Sequence, residues 1–267
     1  MRLLLPAAIV PDVIAATAFM HYSDNLIDQG SLDERLESLG TWDRQVKGAF
    51  ASGSADEPVL RTLIDTASRH PQLAEHVQRF LAGAPAEVQW EGFETDDAFR
   101  RYVDAYSHPA FMIIACLLET PPHADEYRAE CRTFIESSQR LDFLEDLADD
   151  LRAGRLGIPY EALAECRVTR ADLERSDALG RVGDLIRNQV ALARPGLVVA
   201  QRLADLVESE NRHFMTALVR LQLLRLDAVE KAGSSVARKP PDKPVAAALG
   251  LLVRAYRSAH NARQPTG

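Results

Sequence analysis

Two stretches of this 267-residue chain place carboxylates four residues apart. One carries Asp24 and Asp28; the other carries Asp142, Asp146 and Asp150, with Asp149 beside them. On a helix, residues at that spacing lie one turn apart on one face, so each group makes a concentrated negative edge. Like charges so placed repel by roughly 0.2–0.5 kcal/mol per pair. A solvated face paired with Arg140 or Arg152 could carry that cost without any function, but two such groups in one chain speak for a cation. Mg²⁺ prefers six oxygens, takes one or two carboxylates from a protein and fills its remaining positions with water and phosphate oxygens. Two facing pairs can hold two or three such ions around one diphosphate, which is then neutralised as it leaves. An iron–carboxylate site is the competing metal reading, but its Glu-x-x-His spacing stands alone at Glu210 and His213.

The elements that must position these groups read as helices. Val13–Asp28 has apolar positions at spacings of three and four, stops at Gly30, and leaves Ser31 to cap the next helix. The spacing predicts further helices over Thr41–Phe50, Pro58–His70 and Pro71–Leu81, then a loop over Gly83–Thr95. It predicts a helix over Asp96–Leu118 kinked or broken at Pro109, and a continuous one over Ala124–Ala153 closed by Gly154. Asp177–Arg194, Leu197–Lys231 and Val245–Ala262 complete the set. The basic, Pro-rich segment Gly233–Lys243 is a linker too near the end to divide the chain, so residues 1–267 read as one all-α domain.

Ala, Leu and Arg dominate and aromatics are only 6%, a mix that favours helices over strands. The formal net charge of −8 argues against nucleic acid as a partner. Cys116, Cys131 and Cys166 are odd in number and lack a C-x-x-C spacing, so a disulfide framework or thiolate zinc site is not expected. The apolar start MRLLLPAAIV lacks an extended basic region and a cleavage site, and the run Ala110–Leu118 is far below the roughly 20 residues that span a bilayer. The expectation is a cytoplasmic protein with at most peripheral membrane contact.

These residues resemble the squalene/phytoene synthase family of trans-prenyltransferases over nearly the whole chain. Leu4-Leu5-Pro6 looks like the family's entry to its first core helix, and Phe19–Asp28 like its first aspartate-rich motif, R-x-x-D-D-x-x-D. Trp42–Phe50 and Asp56–Leu60 are similar to the family's next helices. Most specific is QRLDFLEDLADDLRAGRLGIP, Gln139–Pro159, in which Gln139, Asp146, Asp150, Gly154, Arg155 and Pro159 match the family's second motif. The resemblance implies an all-α isoprenoid synthase (type I terpenoid synthase) bundle around a central cavity. It also implies Mg²⁺ on Asp24, Asp28, Asp146 and Asp150, with Asp142, Asn25 and Asp149 assisting, and an allylic prenyl diphosphate positioned by Gln139 and Arg155.

The departures are as informative. His21 stands at the first motif's Arg position and Asn25 at its second Asp. In the second motif Asp142 replaces Asn and Glu145 replaces Arg, a reversal of charge that would repel a second diphosphate. In Tyr102–Phe111, His108 and Phe111 take positions where the family has glycine, and their bulk shortens a prenyl tunnel or offers a surface to a flat acceptor. The expected activity is transfer of one prenyl group to an acceptor without a diphosphate, an aromatic ring as in the family's carbazole-prenylating branch of secondary metabolism. His21, Tyr22, Tyr102 or His108 would orient that acceptor or take its proton. The alternative is head-to-head coupling of two prenyl diphosphates, with Arg152, Arg181 or Arg187 supplying the lost charge. Terpene cyclisation fits the low aromatic content less well, and a helical scaffold with degenerate sites would not need all four framing aspartates.

Overall fold

The computed structural model of the chain describes residues 2–175 and 178–263; among them there is no strand, and one isolated bridge pairs Gly92 with Leu156. The helices are α1 (Val10–Asp28), α2 (Leu32–Ser52), α3 (Pro58–Arg69), α4 (Gln72–Gln89), α5 (Asp96–Tyr102), α6 (His108–Ala115), α7 (Ala124–Glu145), α8 (Leu147–Arg152), α9 (Tyr160–Glu165), α10 (Arg170–Arg175), α11 (Leu179–Val199), α12 (Arg212–Ala232) and α13 (Val245–Arg263). Helix α1 packs on α2, α3 and α6; α4 packs on α2 and α6; α7 packs on α6, α11 and α12. Their inner faces make one continuous apolar core that includes Phe19, Trp42, Phe80, Met112, Phe134, Leu144 and Leu226.

Several expected boundaries move, each for a local reason. Ser31 caps α2 as expected, in a reciprocal capping box with Glu34, but no second helix opens at Thr41: α2 runs on through Gly40 because Leu39, Trp42, Val46 and Ala49 continue one buried stripe. The loop expected over Gly83–Thr95 is helix as far as Gln89, since Phe80, Leu81, Ala84 and Val88 also form one buried stripe, and that outweighs the donor lost at Pro85. Pro109 does not break its helix. Val103–Ser107 form a π-turn in which the His108 N–H reaches back to the Val103 carbonyl, and Pro109 then sits in the first turn of α6, where its missing donor is not needed. The expected Ala124–Ala153 helix is interrupted at Asp146, which has φ −91° and ψ 1°. Helix α11 passes through Pro195 to Val199, and 3₁₀ turns over Ala200–Asp205 and Ser209–Asn211 replace the first half of the helix expected from Leu197. The expected start at Asp177 lies outside the described residues.

Asp12 pins α1 to α3. Its buried carboxylate accepts from Arg69 Nη2 at 2.5 Å and Thr66 Oγ1 at 3.3 Å, and lies 3.1 Å from His70 Nε2. Burial alone would raise its pKa, but the hydrogen bonds from Arg69 and His70 outweigh it and hold the carboxyl below its usual value. A depressed folded pKa stabilises above the unfolded value near 3.9 and is lost as pH falls through the folded value. Asp12→Ala is therefore expected to cost about 2 kcal/mol at neutral pH, with the gap from wild type narrowing in melts taken below pH 4.

Candidate active site

The first acidic pair sits on the last two turns of α1. Phe19, Ser23 and Ile27 on the opposite face are buried, and Trp42 Nε1–H donates to Ser23 Oγ at 3.0 Å, which fixes the rotation of α1. That rotation leaves Asp24 half-buried and His21, Asn25 and Asp28 exposed. Burial raises the Asp24 pKa, the Asp28 charge adds to it, and His21 opposes both. Tyr22 turns the other way: its ring lies 4.4 Å from that of Trp42, so it packs on α2.

The second group is built on a corner. Where α7 ends, the Asp146 carbonyl accepts from the N–H groups of both Asp149 and Asp150 at 2.9 Å, starting α8 in a new direction. Gly154 closes α8 at φ +81°, a conformation open to glycine and strained for other residues, and this lets Arg155 N–H return to the Asp150 carbonyl at 2.8 Å. Arg155 Nη2 also binds Asp150 Oδ1 at 3.0 Å, and its guanidinium lies 4.8 Å from the Trp90 ring centroid. Burial raises the pKa of Asp146, with further increments from Glu145 and Asp149. Burial likewise raises Asp150, which Arg155 opposes. Asp149 points outward and is paired with Arg152.

Three residues that sequence spacing did not single out complete the site. Glu87, on the part of α4 expected to be loop, accepts from Tyr102 OH and from Trp90 Nε1 at 3.2 Å. Burial raises its pKa, opposed by the hydrogen bonds from Tyr102 and Trp90, and the charges of Arg155 and Asp28 act on it in opposite directions. Tyr106, on the π-turn, senses Glu87, Asp24 and Asp28 in the same way, with burial again the leading cause of its raised pKa. On α12, Arg225 binds Asp142 through Nη2 at 2.7 Å, binds both Glu145 oxygens, and donates from Nη1 to Gln222 at 2.6 Å. Its sequence signal was a basic residue continuing the apolar spacing Phe214, Leu218, Leu221.

Glu145 thus does not stand as bare negative charge. Arg225 compensates it. Of the arginines expected to supply the family's lost positive charge toward a second diphosphate, Arg152 and Arg187 pair with their own helix neighbours Asp149 and Asp184. Gln139 is half-buried one turn before Asp142. The Phe111 ring packs 5.3 Å from Phe134. The charged groups that His108 senses are Asp104, His76, Arg132 and Arg79, with neither acidic group among them, and burial pushes its imidazole down to about 4.

Two cavities carry residues of this set, one through His21 alone and the other through Glu145, Asp146 and Arg225. One of about 550 Å³ is almost wholly apolar, lined by Val10, Val13, Ile14 and Thr17 of α1, Ile114 of α6 and Phe214 of α12, with His21 at the end nearest Asp24. The other, about 660 Å³, is lined by Glu145, Asp146 and Arg225, by Asp242 and Lys243 of the segment before α13, and by Leu221, Val245, Leu249 and Leu252. Among the described residues no three His, Cys, Asp or Glu groups converge to hold an ion by themselves. A donor set of carboxylate pairs suits Mg²⁺ shared with phosphate oxygens, which needs only one or two protein ligands.

An all-α bundle with acidic pairs on two helices and an adjoining apolar chamber defines the class of helical isoprenoid synthases. The chain belongs to the squalene/phytoene synthase family, whose family model matches residues 1–246. Members of this family transfer prenyl groups. It is 29% identical over 188 residues to the bifunctional protein CrtB/UppS of Streptomyces coelicolor, covering 70% of this chain and 33% of that one, so it spans about a third of that relative's length. It is 24% identical over 240 residues to a phytoene synthase of Arthrospira platensis, covering 85% of this chain and 77% of the relative. In fold it is similar to a dehydrosqualene synthase, with a TM-score of 0.82 and 18% identity over 97% of this chain and 88% of that one. The squalene synthase HpnC of Alicyclobacillus acidocaldarius follows at 0.70 and 19%, over 95% and 87%.

Proposed function

We propose that this protein ionises one allylic prenyl diphosphate and passes the prenyl group to a small aromatic acceptor that carries no diphosphate. The observation that supports this is the Asp142–Arg225–Glu145 cluster beside Asp146: the guanidinium there is engaged by two carboxylates and a glutamine, which leaves little positive charge to receive a second diphosphate. Asp24, Asp28, Asp146 and Asp150 would hold Mg²⁺, which when bound with substrate neutralises the leaving diphosphate. Arg155 and Gln139 orient the diphosphate, and the apolar chamber along α1 takes the prenyl chain. Once the new carbon–carbon bond has formed, the proton displaced from the ring passes to Glu87, whose buried carboxylate Tyr102 holds in place; His21, at the chamber's end, orients the acceptor.

Head-to-head coupling of two prenyl diphosphates is the second reading, favoured by the phytoene synthases among the relatives. The two separate when pure protein is given dimethylallyl, geranyl, farnesyl or geranylgeranyl diphosphate, with and without Mg²⁺ and aromatic compounds. Diphosphate release that requires an aromatic compound supports transfer; a C30 or C40 hydrocarbon from one donor alone overturns it. The ion cluster gives a companion prediction. Glu145→Arg leaves Arg225 facing a like charge and is expected to cost about 1–2 kcal/mol, several degrees in Tm. Adding Arg225→Glu is expected to restore most of that loss, read as the coupling energy of a double-mutant cycle in thermal melts.

A further inference from the structure

Helix α13 has two apolar faces, and only one is covered. Leu251, Ala255 and Ala259 pack with Leu4 and Ala217 against α12. Roughly a third of a turn away, at about 100° per residue, Val245, Leu249, Val253 and Tyr256 share an arc of about 80°. They are 67%, 61%, 40% and 45% exposed. Singly exposed apolar residues are ordinary, but four in one stripe mark a surface that something covers. Leu3, on the turn that packs against this helix, is exposed as well.

Charge points to the occupant. Residues 238–263 carry six Lys or Arg and one acid, a net +5; the rest of the chain carries 25 basic and 38 acidic residues, a net −13. Arg238, Lys239, Lys243, Arg254 and Arg257 are all exposed on this one segment of an otherwise acidic protein. A second copy of the chain would bring net negative charge to the same place only by offering a different face, whereas a bilayer with anionic headgroups matches both the apolar stripe and its basic flanks. No described helix is long and apolar enough to cross a membrane, so a helix of this kind lies on the surface. The larger cavity is walled by Val245, Leu249 and Leu252 of the same helix, and Asp146 lines it too.

We infer that α13 and the basic turn before it form a docking surface for the face of an anionic bilayer, which opens the larger cavity toward the lipid phase. The inference goes beyond the prenyl-transfer reading, and its readout does not depend on turnover. The test is co-sedimentation of the full chain with vesicles of phosphatidylcholine alone and of phosphatidylcholine with 30% phosphatidylglycerol, at about 0.05 and 0.5 M salt. The expected result is at least tenfold stronger binding to the anionic vesicles at low salt. Val253→Glu with Tyr256→Ser is expected to abolish that preference, and Arg254→Glu with Arg257→Glu to weaken it about tenfold, both pairs melting as wild type does. Equal binding to both vesicle types, or none to either, overturns the inference. So does a concentration-dependent dimer that Val253→Glu dissociates while vesicle binding stays unchanged. If either pair unfolds, the salt dependence of wild-type binding decides: no loss of binding at high salt overturns the inference.

Discussion

An Asp146→Asn variant is expected to keep its fold and lose turnover by about 10³-fold, on the order of 4 kcal/mol of transition-state stabilisation. Asp146 stands at the corner between α7 and α8, where burial and the charges of Glu145 and Asp149 raise its pKa. A carboxyl whose folded pKa lies above its unfolded value costs stability when ionised, at every pH above that folded value. The neutral amide removes this repulsion, so the variant's Tm at pH 7 is expected to equal or exceed that of wild type. Loss of activity with gain of stability is the signature of a residue kept for chemistry. Diphosphate release from any prenyl donor, measured beside a thermal melt, checks both halves. Unchanged release would remove Asp146 from the site, whereas a large fall in Tm would mean that the corner depends on its charge.

Gly83→Ala is expected to do the reverse, damaging the fold first and the activity through it. A Cβ on Gly83 would overlap the carbonyl of Ala105 in the π-turn, and the obstacle is backbone, which cannot swing aside. Helix α4 and the π-turn would have to separate, at a cost on the order of 4 kcal/mol and about 10 °C in Tm. The same displacement moves Glu87 on α4 away from Tyr102 and Tyr106, so turnover of the surviving folded protein falls as well. Gly48→Ala on α2 is the control: its Cβ meets nothing within 4 Å, and it is expected to be neutral or slightly stabilising. Equal melts for the two variants would show that α4 and the π-turn are not held at this contact.

The all-α class, the two acidic groups and the family were legible in the chain because each depends on local order. Helical periodicity and i, i+4 spacing are properties of ten or twenty consecutive residues, and Gln139–Pro159 carries its motif unbroken. Where local signals misled, burial overrode them: Pro85 and Pro195 lie inside helices because the buried stripes on either side outweigh one lost hydrogen bond. The sequence also showed that Glu145 reverses a charge, but not what that charge would face. Its partner, Arg225, is 80 residues distant, and only the packing of α12 on α7 brings the two together. Glu87 was hidden for the same reason, since its proposed role comes from its bond to Tyr102 and from the charges of Arg155 and Asp28, all on other segments. Short-range chemistry was written in the order of the residues; which charges answer one another was decided by contacts between residues far apart in the chain.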